Sequence, residues 1–147
     1  KSWDLSYADG GNGTLSIVGG NLNAGVAGSR LVTVDMNKKT WTIADGNVWA
    51  IIGSATPLGW DGDTDMKFIN DGKGAYKITL NLVAGEFKFR MGHKWDSNFG
   101  GTIAALVANS PNNLPVSASG NYTITFTPVY GTGGKPVSAT ATMVKNN

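Results

Sequence analysis

The chain is broken into short stretches in which apolar and polar residues take turns. In "AYKITLNL" (75–82), "AGEFKFRMG" (84–92) and "GNYTITFTP" (120–128) apolar positions recur at every second residue. That is the period of a strand with one face buried and the other wet. "VWAIIG" (48–53) is apolar without a break and reads as a buried strand, while "VSATATMVK" (137–145) follows a Gly-rich hairpin loop as a last strand. "SATPLGWDGDTD" (54–65) carries Pro, Gly and Asp and reads as a turn-rich loop. Strands of this length between turn signals predict an all-β fold, an antiparallel β-sandwich. Composition agrees, with 21 glycines, abundant Thr, Ser and Asn, and almost no run of helix formers. A length of 147 residues, 41% of them hydrophobic, suffices for one well-buried core, or for one domain and part of another.

A repeat divides the chain further. Shifting the sequence by 92 residues lays Trp3-Asp4 on Trp95-Asp96, Tyr7 on Phe99 and Asn21-Leu22 on Asn113-Leu114. The same shift lays Gly28 on Gly120, and Val32, Thr33 and Val34 on Ile124, Thr125 and Phe126. One register held through aromatic, glycine and strand positions is the mark of a duplicated unit. Residues 1–43 are therefore expected to be the C-terminal part of a preceding β module, or an N-terminal extension, and residues 44–147 a complete module.

Charge narrows the choice of partner. Twelve Lys and Arg stand against ten Asp and Glu, scattered along the chain, so the dense basic stripe that nucleic acid requires is missing. No run of about 18 apolar residues occurs to cross a membrane as a helix. Lys1-Ser2-Trp3-Asp4 has no signal-peptide pattern, so any targeting segment is expected outside this chain. Without cysteine there is neither a disulfide framework nor a thiolate site.

The candidate chemistry gathers in "GEFKFRMGHKWD" (85–96). Alternation assigns Phe87 and Phe89 to one face, the core, and Lys88 and Arg90 to the other, roughly 7 Å apart at about 3.3 Å per residue. That separation is comparable to a sugar ring, both side chains are pure donors, and Trp95 follows in the next loop as an apolar floor for a sugar. A plainer reading makes the two cations a solvated sheet face and Trp95 a cap on the sandwich. Five tryptophans is a high count, and Trp60, in a loop rich in Gly and Asp, is less expected as a core anchor. Trp49 opens a strand too apolar for periodicity to place it, so it stands as core or as a further stacking candidate. Trp41, in the alternating "TWTI", is expected in core or hairpin packing.

Metal and catalytic chemistry find less support. "DGDTD" (61–65) imitates the start of a calcium loop, but Gly72 stands where the closing Glu would be needed, so no metal is expected. The single Glu, Glu86, and aspartates in turn dipeptides do not make the carboxylate pair of a glycosidase. His93, the lone histidine, has no triad or metal-ligand spacing around it. No enzyme and no cofactor is expected.

Together, "VWAIIGSATPLGWDGDTDMKF", "NLVAGEFKFR", "KWDSNFGG" and "NNLPVSASGNYTITF" resemble the SusE/SusF family of outer-membrane starch-binding proteins of Bacteroidetes. The resemblance covers residues 44–144, and "SWDLSY", "GG", "NLN", "AG" and "VTVD" within 2–35 resemble the tail of a preceding module. "PLGW", "FKF" and a later Trp are also similar to the starch-binding modules of glucoamylases, where a loop Trp, a strand Lys and a later Trp form a sugar platform. What the resemblance implies is a set of tandem immunoglobulin-like or starch-binding-module-like sandwiches on a surface lipoprotein. Such a protein captures α-glucan beside an outer-membrane glycan transporter. The lipid-bearing cysteine would lie outside this chain. The implied glycan-binding residues are Trp60 and Trp95 as stacking platforms, Lys88 and Arg90 as hydroxyl donors, and Trp49 as a further platform. Phe99 stands where the family more usually has Tyr in "WDxNYGG". The competing expectations are a spacer module of a multidomain surface protein that binds no sugar, and a module that binds a different polysaccharide.

Overall fold

The computed structural model describes residues 6–23, 30–45, 48–69 and 71–147, and among these every regular element is a strand apart from one 3-10 turn at Thr132–Gly134. The chain parts into two compact units, Lys1–Asn47 and Val48–Asn147. Trp3, Asp4 and Gly28 of the repeat lie outside the described residues.

The first unit is one antiparallel sheet in the order β1-β2-β4-β3, formed by β1 (Ala8–Gly11), β2 (Thr14–Ser16), β3 (Arg30–Asp35) and β4 (Thr40–Asp45). β1 and β2 meet through Asn12-Gly13, whose φ angles of 52° and 75° give the two left-handed positions of the hairpin turn that matches strand twist. β4 runs through the expected 43/44 junction to Asp45. Register places Val34 opposite Trp41 and Val32 opposite Ile43, so these four share one face, while Thr33 and Thr42 share the other. Trp41 is buried, as expected for hairpin packing, and its indole N–H donates to Asp9 Oδ1 at 3.3 Å. Val32 and Val34 remain 48% and 46% exposed.

The second unit is an antiparallel β-sandwich. One sheet runs β11-β10-β9-β5-β6, from β5 (Trp49–Ile52), β6 (Thr64–Asp65), β9 (Gly85–Met91), β10 (Asn98–Thr102) and β11 (Ala105–Ala108). β12 (Leu114–Val116) pairs the first residues of β9. The other sheet runs β14-β13-β8-β7, from β7 (Lys67–Phe68), β8 (Tyr76–Leu82), β13 (Gly120–Tyr130) and β14 (Pro136–Lys145). The strict alternation of β13 buries Tyr122, Ile124 and Phe126 against the facing sheet. Phe126 meets Phe89, Trp49 and Phe99 of the first sheet with ring centroids 4.3, 4.6 and 5.7 Å apart. Such aromatic contacts add about 0.5–1.5 kcal/mol apiece beyond area burial, and they lock the two layers together.

The offset of 92 returns in the hydrogen bonding. Asp9 N–H donates to the Gly20 carbonyl at 2.9 Å, and Gly101 N–H, 92 residues on, donates to the Asn112 carbonyl, again 92 residues on, at 3.1 Å. Val32 and Val34 correspond to Ile124 and Phe126, which are fully buried beneath the facing sheet of the second unit.

Candidate functional site

The site is built on two loops, one that follows β5 and one that follows β9. Gly53, with φ of 154°, begins the first loop where the chain passes so close to β9 that an added Cβ would lie 2.2 Å from the Glu86 carbonyl oxygen. Only glycine fits such an approach. Thr56 closes the loop on itself, its hydroxyl donating to the Gly53 carbonyl at 2.8 Å while Gly53 N–H donates to the Gly59 carbonyl at 3.0 Å. Ala55 N–H donates to the Glu86 carbonyl at 3.0 Å and fixes the loop to the sheet. Trp60 leaves this pinned base 40% exposed.

The second loop joins β9 to β10. Gly92 and His93 both take positive φ, 64° and 59°, and reverse the chain, with Met91 N–H donating to the Ser97 carbonyl at 2.9 Å. His93 is a residue that adopts this region uncommonly. Its Nε2 lies 2.6 Å from Asp65 Oδ1 and ties the loop to β6. Asn98 donates its Nδ2 to the Trp95 carbonyl at 3.0 Å and so fixes the backbone beneath the second exposed indole, which is 49% exposed.

The two exposed indoles come together. Ring centroids of Trp60 and Trp95 are 6.4 Å apart with planes inclined by 37°. The Arg90 guanidinium carbon sits 4.6 Å from the Trp95 ring centroid, a cation–π contact that holds the indole in place. Arg90 is itself fixed by Asp63, its Nε donating to Oδ1 at 2.6 Å and its Nη2 to Oδ2 in a two-pronged ion pair. Both side chains are nearly enclosed, at 12% and 10% exposure, and the Asp63 bonds raise the Arg90 pKa above its ordinary value. Nη1 of Arg90 is left without a protein partner among the described residues.

Three expectations change. Trp49 is not a platform: it is fully buried against Phe126 and Phe99, and its indole N–H donates to the Tyr130 hydroxyl at 2.8 Å. Both faces of β5 are covered, which is why its sequence showed no period. Lys88 is not a surface donor. The chain around Ser110 crosses the outer face of the sheet, and the Lys88 ammonium donates to the Ser110 carbonyl and to Asn98 Oδ1. Only 8% of the residue is exposed, and loss of solvation lowers its pKa. Its effect on the site runs through Asn98, which accepts from Lys88 and donates to Trp95. Arg90 keeps its place at the site, but as the support of Trp95, with one nitrogen to spare.

Phe87 and Phe89 lie in the core, as their alternation requires. The aspartates of "DGDTD" divide between partners, Asp63 to Arg90 and Asp65 to His93, and no group of three metal-ligating side chains forms among the described residues. Sequence reasoning missed Asp63 as a counter-ion and Asn98 as the brace under Trp95, because both partners are supplied by the fold. The unpaired charge of Lys88 and Arg90 on one strand was the available signal that acceptors had to exist somewhere.

No family model matches the chain, and no curated protein or solved structure matches it either.

Proposed function

We propose that Val48–Asn147 is a non-catalytic carbohydrate-binding module that takes starch or malto-oligosaccharide on the Trp60–Trp95 surface. Residues 1–47 are, in this reading, the C-terminal part of a preceding module. The chain belongs to a surface glycan-capture protein resembling SusE/SusF, held at the outer membrane by a lipid anchor outside this chain and working beside a glycan transporter.

The observation that carries the reading is the pair of half-exposed indoles, 6.4 Å apart and inclined by 37°, on loops fixed from below. Two apolar faces set at an angle suit a glucan that turns from one sugar to the next better than a flat ribbon. An indole held in advance, as Trp95 is by Arg90 and Asn98 with Asp63 fixing Arg90, loses little freedom when a sugar settles on it, so a modest contact is converted efficiently into affinity. Arg90 Nη1 supplies a donor at the edge of that surface. The module reading of residues 1–47 is supported by the equivalent backbone bonds at Asp9 and Gly101. It also explains the exposure of Val32 and Val34, whose counterparts Ile124 and Phe126 are covered by strands of the facing sheet.

A spacer module is the second reading, favoured by one specific observation: both strand cations are committed within the protein. Calorimetric titration of maltoheptaose into the wild type, Trp60→Ala and Trp95→Ala separates the two. Glycan binding requires each variant to lose at least about tenfold in affinity, or about 1.4 kcal/mol, with its fold intact. Wild-type affinity in both variants defeats the site, and no heat with any oligosaccharide favours the spacer.

A further inference from the structure

Strand pairing stops early at one edge of the second sheet. β7 gives β8 two partners only, Lys67 opposite Lys77 and Phe68 opposite Tyr76. Immediately before them the chain belongs to the other sheet, where β6 pairs with β5 and Met66 N–H donates to the Trp49 carbonyl at 2.8 Å. The backbone therefore crosses between sheets beside the stretch of β8 that continues through Ile78 and Thr79. The gap left behind is a cleft of about 330 Å³ lined by Asp65, Lys67, Ile69, Lys77, Ile78 and Thr79. Its volume lies at the lower end of the range used by small-molecule sites.

The charges in this cleft are unbalanced. Alternation along 64–68 turns Met66 into the core and Asp65 and Lys67 outward. Lys67 and Lys77 are direct cross-strand partners, a placement in which Cβ atoms are about 4.5–5.5 Å apart and like charges oppose each other. No carboxylate among the described residues answers either ammonium. Asp65, the acid in the cleft wall, bonds His93 and neither lysine, so the two ammonium charges outnumber its one carboxylate. Two lysines paired across the strands, each ammonium a triple donor, line the cleft together with Ile69 and Ile78.

We propose that this cleft binds an oxyacid anion, a carboxylate or sulfate group, carried by a body about the size of one sugar ring. The anion lies between the Lys67 and Lys77 ammonium groups and removes their repulsion, and the ring packs on the isoleucines and the lysine stems. Asp65 in its wall also ties the Trp95 loop through His93, but neither lysine belongs to the Trp60–Trp95 surface, and the proposal stands or falls without that surface.

The test is an amide ¹H–¹⁵N titration of the whole chain at low salt with glucuronate, glucose 6-sulfate and neutral glucose, repeated on the Lys67→Gln/Lys77→Gln double variant and on Trp95→Ala. Saturable shifts are expected at Lys67, Ile69, Lys77, Ile78 and Thr79 with at least one anionic sugar. The anion that produces them identifies the group as carboxylate, sulfate or either. Glucose should leave these amides in place, the double variant should bind at least tenfold more weakly, and Trp95→Ala should bind as the wild type does. Both lysines are exposed, so the double variant should keep the wild-type spectrum elsewhere. Absence of saturable shifts with both anions, equal shifts with glucose, or unchanged affinity in the double variant would overturn the proposal.

Discussion

Replacing Lys88 by methionine removes an ammonium and keeps most of the stem, which makes it a sharp probe of how the second unit is held together. In the folded chain that ammonium donates to Asn98 Oδ1 at 3.3 Å and to the Ser110 carbonyl. Hydrogen bonds from a charged donor contribute about 1.5–3 kcal/mol apiece, and their loss strands two acceptors behind the covering chain. Desolvation of the ammonium, the cause of its lowered pKa, acts in the opposite direction and takes back part of that sum. A net loss of about 2–3 kcal/mol is expected for Lys88→Met by this balance. Lys88→Ala should lose about 2 kcal/mol more, through buried methylenes worth about 0.8 kcal/mol each. For a unit of about 100 residues the methionine variant should melt roughly 8–20 °C lower by calorimetry.

The same substitution carries a pH signature. The folded state holds the Lys88 proton less tightly than the unfolded chain does, so between the lowered folded pKa and the ordinary lysine value the unfolded chain binds more protons. Raising the pH through that window strengthens the wild type, and the deficit of Lys88→Met should widen accordingly. A melting temperature within 2 °C of wild type, or sugar affinity lost with stability intact, would refute the burial argument and restore Lys88 to the surface.

Other consequences can be measured directly. Asp63→Asn leaves Arg90 nearly enclosed without its counter-ion, and should destabilise the second unit by about 3–5 kcal/mol in urea titrations while weakening sugar binding through Trp95. Trp60→Ala removes an indole only 40% exposed and paired with Trp95, and should cost at least about 0.5–1.5 kcal/mol in urea titrations while lowering maltoheptaose affinity. Gly53→Ala sets a methyl group against the Glu86 carbonyl and should cost about 1–3 kcal/mol by chemical denaturation. Hydrogen exchange should show β3 amides exchanging much faster than those of β13, because Val32 and Val34 lack the cover that Ile124 and Phe126 have.

How far the sequence could be read followed from the range of the interactions. Alternation in 84–92 placed Phe87 and Phe89 correctly, and that in 120–128 marked the strand that buries Ile124 and Phe126, because a strand's period is a local property. Trp60 and Trp95 were recognisable as loop tryptophans. Trp49 was not assignable, since a strand covered on both faces has no period to show. Lys88 was misplaced for a different reason. Alternation put it on the outer face correctly, but that face is covered by chain 22 residues away, at Ser110. The Arg90–Asp63 pair, 27 residues apart, was hidden in the same way, with Asp63 lying inside what read as a polar turn. The crossing of β6 and β7 between sheets left no mark in composition, and only the geometry shows the cleft that it opens.

Intrinsic fluorescence tests the central claim most directly, because Trp41 and Trp49 are buried while Trp60 and Trp95 share one exposed surface. Titration with maltoheptaose, in parallel with cello- and xylo-oligosaccharides, should give a saturable change with maltoheptaose that is lost in Trp95→Ala. No change with maltoheptaose, or an equal change in Trp95→Ala, would contradict the α-glucan assignment.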